Sequence, residues 1–332
     1  MILIISSQED FSTHEVIDWL LFYQHPFVRI SSQDFLETLK ACISAISLEI
    51  TFELKGKTYY LSDFQSVWYR RSWISPNYVN EYTGNKSIIQ TAIQNQILSE
   101  KKVLFELLQY NLYERSINSP FRCNLNKMKE LQFASEVGLS IPYTEILTDK
   151  NDLFLLKGKY SQLITKSASQ GVFISSPTEK MSSLTMEVSD AMIQDMPPKF
   201  MPTLFQEKIK KILELRIFFI NNHFFASAIF SQNDPQTMID FRNYNQQSPN
   251  RIQPCVLPVI VRKKLEKLMA RLEINSGSID MILSKNGKYV FLEVNPVGQF
   301  KQVSKPCNYY LERVIAETLI NRDNEKVQKT NK

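Results

Sequence analysis

Three oxygen-bearing side chains, Asp280, Glu293 and Asn295, sit inside two otherwise apolar runs, GSIDMILS and KYVFLEVNP. Asn286-Gly287 between the runs is a strong hairpin signal and predicts a two-residue type I′ turn. Counting outward from it pairs Lys285 with Lys288, Leu283 with Val290, Met281 with Leu292 and Ile279 with Val294. All but the first of these pairs are apolar, which supports the register independently. The same count sets Asp280 directly opposite Glu293, with Asn295 two residues further along on the same face. Facing carboxylates about 5 Å apart at Cβ destabilise a sheet, so something must offset the repulsion. An Arg or Lys could sit above them, one acid could be protonated, or oxygen ligands could hold a divalent cation. A solvated hairpin face is the plainer alternative. With no His or Cys nearby, a hard cation such as Mg²⁺, which keeps waters and bridges phosphates, suits this donor set best.

The elements that must position this hairpin can be read along the chain. MILI is a buried first strand, THEVIDWLLFY an amphipathic helix with Thr13 as N-cap and Val16, Ile17, Leu20 and Leu21 inward, and PFVRI a second strand. ITFELKGKTYYL reads as a hairpin around Lys-Gly-Lys, SVWYRRS as a further strand, and Lys86 to Tyr113 as one helix without Pro or Gly. Asn126 caps KMKELQFASEVG, which stops at Gly138. IPYTEIL and SQLITK are strands, and Met181 to Thr203 reads as an irregular linker. ILELRIFFINNHFFASAIFS predicts two strands around Asn221-Asn222, followed by a helix from Pro258 and the acidic hairpin. These signals divide the chain into an N-terminal α/β region at 1–118, a central region at 119–203, a third at 204–321 and a polar tail at 322–332.

Composition removes several alternatives. At 332 residues and 43% hydrophobic, the chain exceeds one ordinary domain. Its net charge of +5 comes from mixed-sign sequence, which permits an anionic partner without demanding one. Three scattered histidines and four separated cysteines, with no C-x-x-C, argue against zinc and against a disulfide framework. The cysteines read as reduced thiols in a cytoplasmic protein. No stretch approaches a membrane span, MILIISSQED is not a signal peptide, and no aromatic–basic nucleic-acid motif appears. Gly56-Lys57-Thr58 mimics the end of a P-loop, but Thr51 stands where its first Gly belongs, and no G-x-G-x-x-G occurs.

The Asp280…Glu293-x-Asn295 hairpin resembles the metal site of ATP-grasp ligases, and the other pieces of that fold follow in order. The resemblance implies an α+β and α/β architecture: a pre-ATP-grasp domain followed by two α+β subdomains that sandwich ATP. Asn126-Lys127, with Gly138 and Pro142 after it, resembles the start of the ATP-grasp region, making Lys127 the first phosphate-binding cation. Lys166 resembles the second, and the loop Ser167 to Gly171 the cover over the phosphates. Phe205-Gln206-Glu207-Lys208-Ile209 resembles the adenine-binding hinge. Glu214-x-Arg216 and Asp240-Phe241-Arg242 match elements of the branch that modifies peptides and proteins. In that branch the arginines stabilise the γ-phosphate and the acyl phosphate formed from it.

Together with MILIISSQEDFSTHEVIDWL, VWYRRS and FLEVNPVGQFKQVSKPCNYYLERVIAETL, the likeness narrows to graspetide synthetases of the grasp-with-spasm branch, over residues 1–320. That resemblance implies ATP and one or two Mg²⁺ ions as cofactors, with a ribosomal precursor peptide, leader plus core, as partner. It implies no nucleic acid or membrane, and a homodimer is compatible with it. Asp280, Glu293 and Asn295 would hold the metal, Arg216 and Arg242 would act in catalysis, and Asp240 is a candidate general base. Arg70 and Arg71 are candidates to hold peptide carboxylates. Two rivals remain: a ligase adding a free amino acid such as glutamate, and a non-catalytic peptide-binding protein on the same scaffold. Pro296-Val297-Gly298 replaces the Gly-rich stretch that often follows the Glu-x-Asn strand in ligases for free amino acids, which favours a larger acceptor.

Overall fold

The computed structural model describes residues 1–31, 34, 36, 38–70, 72, 87–169, 171, 173–175 and 180–330. These form two compact units: residues 1–123 with 310–332, and residues 124–309.

In the first unit, Phe27–Ile30, Ile2–Ile5, Ser66–Tyr69 and Ser116–Ile117 form a parallel sheet in that order. Every residue of Ile2–Ile5 is fully buried, as a parallel strand covered on both faces requires. The first helix, Phe11–Phe22, starts earlier than predicted. Asp10 is its N-cap, while Thr13 lies buried inside it and accepts a hydrogen bond from Ser6 at 3.0 Å. Val16 and Leu20 point inward as expected, but Leu21 is exposed. The hairpin Leu48–Leu54 to Lys57–Tyr60 forms as read, its Lys55-Gly56 turn having positive φ at both positions. Helix Ile88–Tyr113 starts from a Ser87 capping box. The last helix, Leu311–Thr330, packs in this unit rather than extending the third region. His25 pairs with Asp323 at 2.8 Å, and Tyr23 donates to Glu317 at 2.7 Å. The segment expected as a polar tail is therefore helical as far as Thr330.

Besides the short antiparallel pair Phe173–Ser175 and Lys180–Ser182, the second unit contains two larger antiparallel sheets. The smaller of these two runs Met186–Glu187, Leu163–Lys166, Lys199–Glu207, Thr144–Asp149. Leu153, Leu156, Leu163, Val188, Ile193 and Phe205 form its core. A division at 203/204 falls inside the Lys199–Glu207 strand. Pro202 there reads as a linker residue, but the register shifts between Lys199 and Thr203, and a bulge accommodates a residue with no N–H to donate.

The larger sheet runs Ile252–Cys255, His223–Ile229, Lys211–Ile220, Ser276–Ser284, Tyr289–Asn295. Leu215, Ile217 and Phe219 alternate onto the face where Leu131 and Ala134 of helix Lys127–Glu136 and Leu265 and Leu268 of helix Val259–Arg271 complete a core. Glu214 and Arg216 consequently project from the opposite face. The Asn221-Asn222 turn has positive φ at both positions, the type I′ signature.

The acidic hairpin turns differently. Gly287 N–H donates to Ser284 O at 2.9 Å, Gly287 has φ +74°, and Asn286 is absent from the positive-φ residues. The loop therefore has three residues, Lys285 to Gly287, and shifts the nearby pairs by one: Leu283 faces Tyr289 and Met281 faces Phe291. A bulge at Leu292 restores the count, so Ile279 still faces Val294 and Asp280 still faces Glu293. The apolar anchors are Tyr289, Phe291 and Val294 instead of Val290, Leu292 and Val294.

Beyond this pair the strands close tightly. A Cβ on Gly277 would lie 2.7 Å from Asn295 O and 3.0 Å from Pro296 Cα, both backbone atoms that cannot swing aside. Gly277→Ala is expected to destabilise the protein by about 1–3 kcal/mol, measured by urea unfolding.

Candidate active site

Register places the charged groups in a row. Arg216 on Lys211–Ile220 faces Asp280 on Ser276–Ser284, which faces Glu293 on Tyr289–Asn295. Arg216 Nη1 donates to both Asp280 oxygens at 2.6 Å, and its buried Nε has no hydrogen-bond partner among the described residues. Glu293 is met from the other side by Lys127 Nζ at 3.2 Å and Lys166 Nζ at 3.9 Å. Lys127 opens its helix behind the Asn126 cap and also donates to Ser167 O at 3.0 Å. Lys166 ends its strand in the smaller sheet, so a helix and a strand jointly supply the cations on Glu293.

The electrostatics follow from this geometry. Burial holds the Asp280 carboxyl above the ordinary range; Arg216 opposes that, and facing Glu293 reinforces it. Burial acts on Glu293 in the same sense, but Lys166, Lys127 and Arg242 outweigh it and pull its carboxyl down. Burial lowers the Lys166 ammonium while Glu293 supports its charge. Two carboxylates face to face thus take opposite directions.

Further along the same face, burial raises the Glu214 carboxyl against Lys211 at 2.9 Å and a Ser231 hydroxyl donating at 2.7 Å. Burial works against Asp240, yet the Arg242 side chain and the backbone N–H groups of Thr185 and Arg242 hold its carboxyl down at about 2. Arg242 donates through Nε at 2.9 Å, Nη2 at 2.6 Å and its backbone at 3.0 Å, and Thr185 N–H donates at 3.1 Å. A carboxylate so occupied orients Arg242 and is poorly suited to act as a general base.

These groups line a cleft with ≈ 810 Å³ of empty space, part of it open to solvent. Lys127, Lys166, Ser167, Gly171, Gln206, Glu207, Ile209, Glu214, Asp240, Arg242, Asp280 and Glu293 all line it. Ile164, Ile282 and Leu292 add apolar wall. Arg216 touches it through Asp280. Lys208 does not line it, because its ammonium pairs with Glu187 at 2.7 Å. Asn295 is exposed beside the cleft, opposite Ser278. Lys211 lines the cleft unforeseen, and so does Leu292, which the bulge turns to the same side as Glu293. Glu130 was also missed. It is buried beneath the site, where it accepts a hydrogen bond from Val294 N–H at 2.9 Å; its only sequence signal is the three-residue spacing from Lys127. Arg71 lies outside the described residues.

The donors fit a hard cation. Asp280 and Glu293 offer oxygen only, and no group of three or more His, Cys, Asp or Glu that could hold a metal occurs among the described residues. Two carboxylates without a full protein cage suit Mg²⁺, which takes its remaining ligands from water and phosphate.

Among the described residues no helix is long and apolar enough to cross a membrane. No family model matches the chain, and no curated protein matches it by sequence. Solved structures do match. A Chryseobacterium gregarium RiPP-associated ATP-grasp ligase, in complex with ADP and a leader and core peptide, superposes with TM-score 0.79 at 23% identity, covering 97% of this chain and 96% of that one. Macrocyclase MdnC from Microcystis aeruginosa MRC, bound with precursor peptide MdnA, gives TM-score 0.73 at 25% identity, covering 96% and 99%. ATP-grasp ligase PsnB, complexed with minimal precursor, Mg and ADP, gives 0.70 at 17%, covering 97% of each chain.

The Asp240 assignment can be tested by its sign. A folded carboxyl at about 2, against an ordinary 3.8, contributes about 2 kcal/mol above pH 4 that is lost as pH falls towards 2. The stability advantage of the wild type over Asp240→Asn in urea unfolding is therefore expected to shrink between pH 5 and 2.

Over nearly its whole length the chain thus has the ATP-grasp fold, similar to that of RiPP-associated ATP-grasp ligases and macrocyclases.

Proposed function

We propose that the chain is an ATP-dependent peptide macrocyclase. It activates an Asp or Glu side chain of a ribosomally made precursor peptide and joins it to a Ser or Thr hydroxyl, or to a Lys amine. The observation that carries this reading is the row Arg216–Asp280–Glu293, flanked by Lys127 and Lys166, in a cleft on a fold shared with peptide macrocyclases.

Ester formation from carboxylate and hydroxyl in water is uphill, so the acid must first be activated. The γ-phosphoryl group of ATP passes to a peptide carboxylate oxygen and ADP departs. The acceptor oxygen or nitrogen then attacks the acyl carbon, the bond from that carbon to the phosphate oxygen breaks, and phosphate leaves as the acceptor loses its proton. Mg²⁺, when bound, supplies charge neutralisation at the β- and γ-phosphate oxygens. Asp280 and Glu293, with Asn295 beside them, would hold it.

The remaining work falls to side chains already in place. Lys127 and Lys166 turn from Glu293 to the arriving phosphates, and Glu293, released by both, becomes available as a ligand. Arg216 keeps Asp280 aligned and has Nε left to donate. Arg242, fixed by Asp240, stabilises charge at the transferring group. Glu207 and Ile209, with the apolar wall of Ile164, Ile282 and Leu292, form the side of the cleft suited to a flat base. The turn at Pro296-Val297-Gly298, closed by Gly298 N–H on Asn295 O at 3.0 Å, stands where ligases for free amino acids often carry a Gly-rich stretch. That departure favours a peptide acceptor. A cytoplasmic setting and a homodimer belong to the same proposal.

Incubation with ATP, Mg²⁺ and a candidate peptide encoded beside this gene is expected to consume ATP and remove one water mass per linkage, read by mass spectrometry. A gain of amino-acid mass would instead establish the free-amino-acid ligase. Lys166→Ala is expected to weaken ATP binding roughly tenfold to a hundredfold, the range of a lost charge-assisted contact, measured by calorimetry.

A further inference from the structure

We propose that Glu130 is a positioning residue for the metal site, acting on Glu293 through the backbone of Val294. The proposal rests on the reading of Glu293 as a metal ligand.

Tyr289–Asn295 is the edge strand of its sheet, so one row of its backbone N–H groups has no strand to bond. Two of those groups are satisfied from outside the sheet: Phe291 N–H donates to Ser140 O at 2.8 Å, and Val294 N–H donates to Glu130 Oε2 at 2.9 Å. In a regular strand the groups on one edge recur every second residue. Here they recur at a spacing of three, and the bulge at Leu292 lies between them. The two outer bonds therefore bracket the irregularity that turns Leu292 and Glu293 to the same side of the strand, into the cleft.

Val294 is only 5% exposed, so water cannot replace the acceptor if Glu130 is lost. Glu130 is itself 3% exposed and does not line the cleft, so it acts through the strand and not on a ligand. Lys127, one helical turn before it, holds the Glu293 carboxylate at 3.2 Å. One helix turn thus grips Glu293 twice, by its side chain and by the backbone of its neighbour.

Three variants separate reach from charge. Glu130→Gln keeps an acceptor oxygen at the same distance, Glu130→Asp keeps the carboxyl group but retracts it by one methylene, and Glu130→Ala removes both. ADP binding is titrated against Mg²⁺ by calorimetry. Hydrogen exchange at Val294 is followed by mass spectrometry, folding is checked by circular dichroism, and Glu293→Gln serves as the reference.

Glu130→Gln is expected to stay within about twofold of the wild type. Asp and Ala at this position should speed exchange at Val294 and raise the Mg²⁺ needed for half-saturation roughly tenfold or more, as loss of an outer partner of a metal ligand does. Folded Asp or Ala variants with unchanged Mg²⁺ dependence would overturn the proposal, as would a Gln variant as impaired as Ala. Should the Ala variant not fold, the contrast between Asp and Gln decides. If Glu293→Gln itself leaves Mg²⁺ dependence unmoved, the metal reading falls and takes the proposal with it. Exchange at Val294 would still report whether the Glu130 bond exists, which separates the two failures.

Discussion

Strand pairing sets Asp280 against Glu293, and two largely buried carboxylates in that position cannot both ionise without cations around them. Much of the second unit supplies those cations. Arg216 comes from the neighbouring strand of the same sheet, Lys127 from the first turn of the helix that covers the strand edge, and Lys166 from the smaller sheet. Removing one partner would leave a buried charge uncompensated, at a cost of about 3–5 kcal/mol for a fully buried pair. The arrangement stabilises the fold only while it is complete. Its cations are also held by groups that a phosphate chain and a metal ion could replace.

Poise of this kind needs a firm base. Arg216 is fixed by two bonds to Asp280, and Arg242 by three to Asp240. On the opposite face, Leu215, Ile217, Ile279, Met281, Phe291 and Val294 anchor the same three strands in the core. Alternation along each strand therefore separates the two tasks, with packing on one face and charge on the other. The edge strand departs from alternation at Leu292, beside the residue that would bind metal, and Lys211–Ile220 has its own irregularity between Lys211 and Leu213.

The strand pair and its charges were legible in the sequence because apolar alternation constrains register strongly. The count to Asp280 and Glu293 succeeded through two compensating departures, a three-residue loop in place of Asn286-Gly287 alone and a bulge at Leu292. Neither has a sequence signal strong enough to be read, since Asn-Gly serves both turn types and Leu is ordinary in a bulge. Lys208 reads as a hinge residue through its backbone, and the pairing of its ammonium with Glu187 could not be read from the sequence. Glu130 was invisible because its partner is a backbone N–H, which no residue type advertises. Pro202 and the prolines before it concealed a strand.

We propose that, when nucleotide binds, Glu293 exchanges Lys127 and Lys166 for a metal ion shared with Asp280, which Arg216 keeps aligned. Crystals grown with ADP and Mn²⁺, examined by anomalous scattering at the manganese edge, test it most directly. The account predicts a peak about 2 Å from oxygens of both carboxylates, with Lys127 and Lys166 on phosphate. A peak elsewhere, with both lysines still on Glu293, would contradict it.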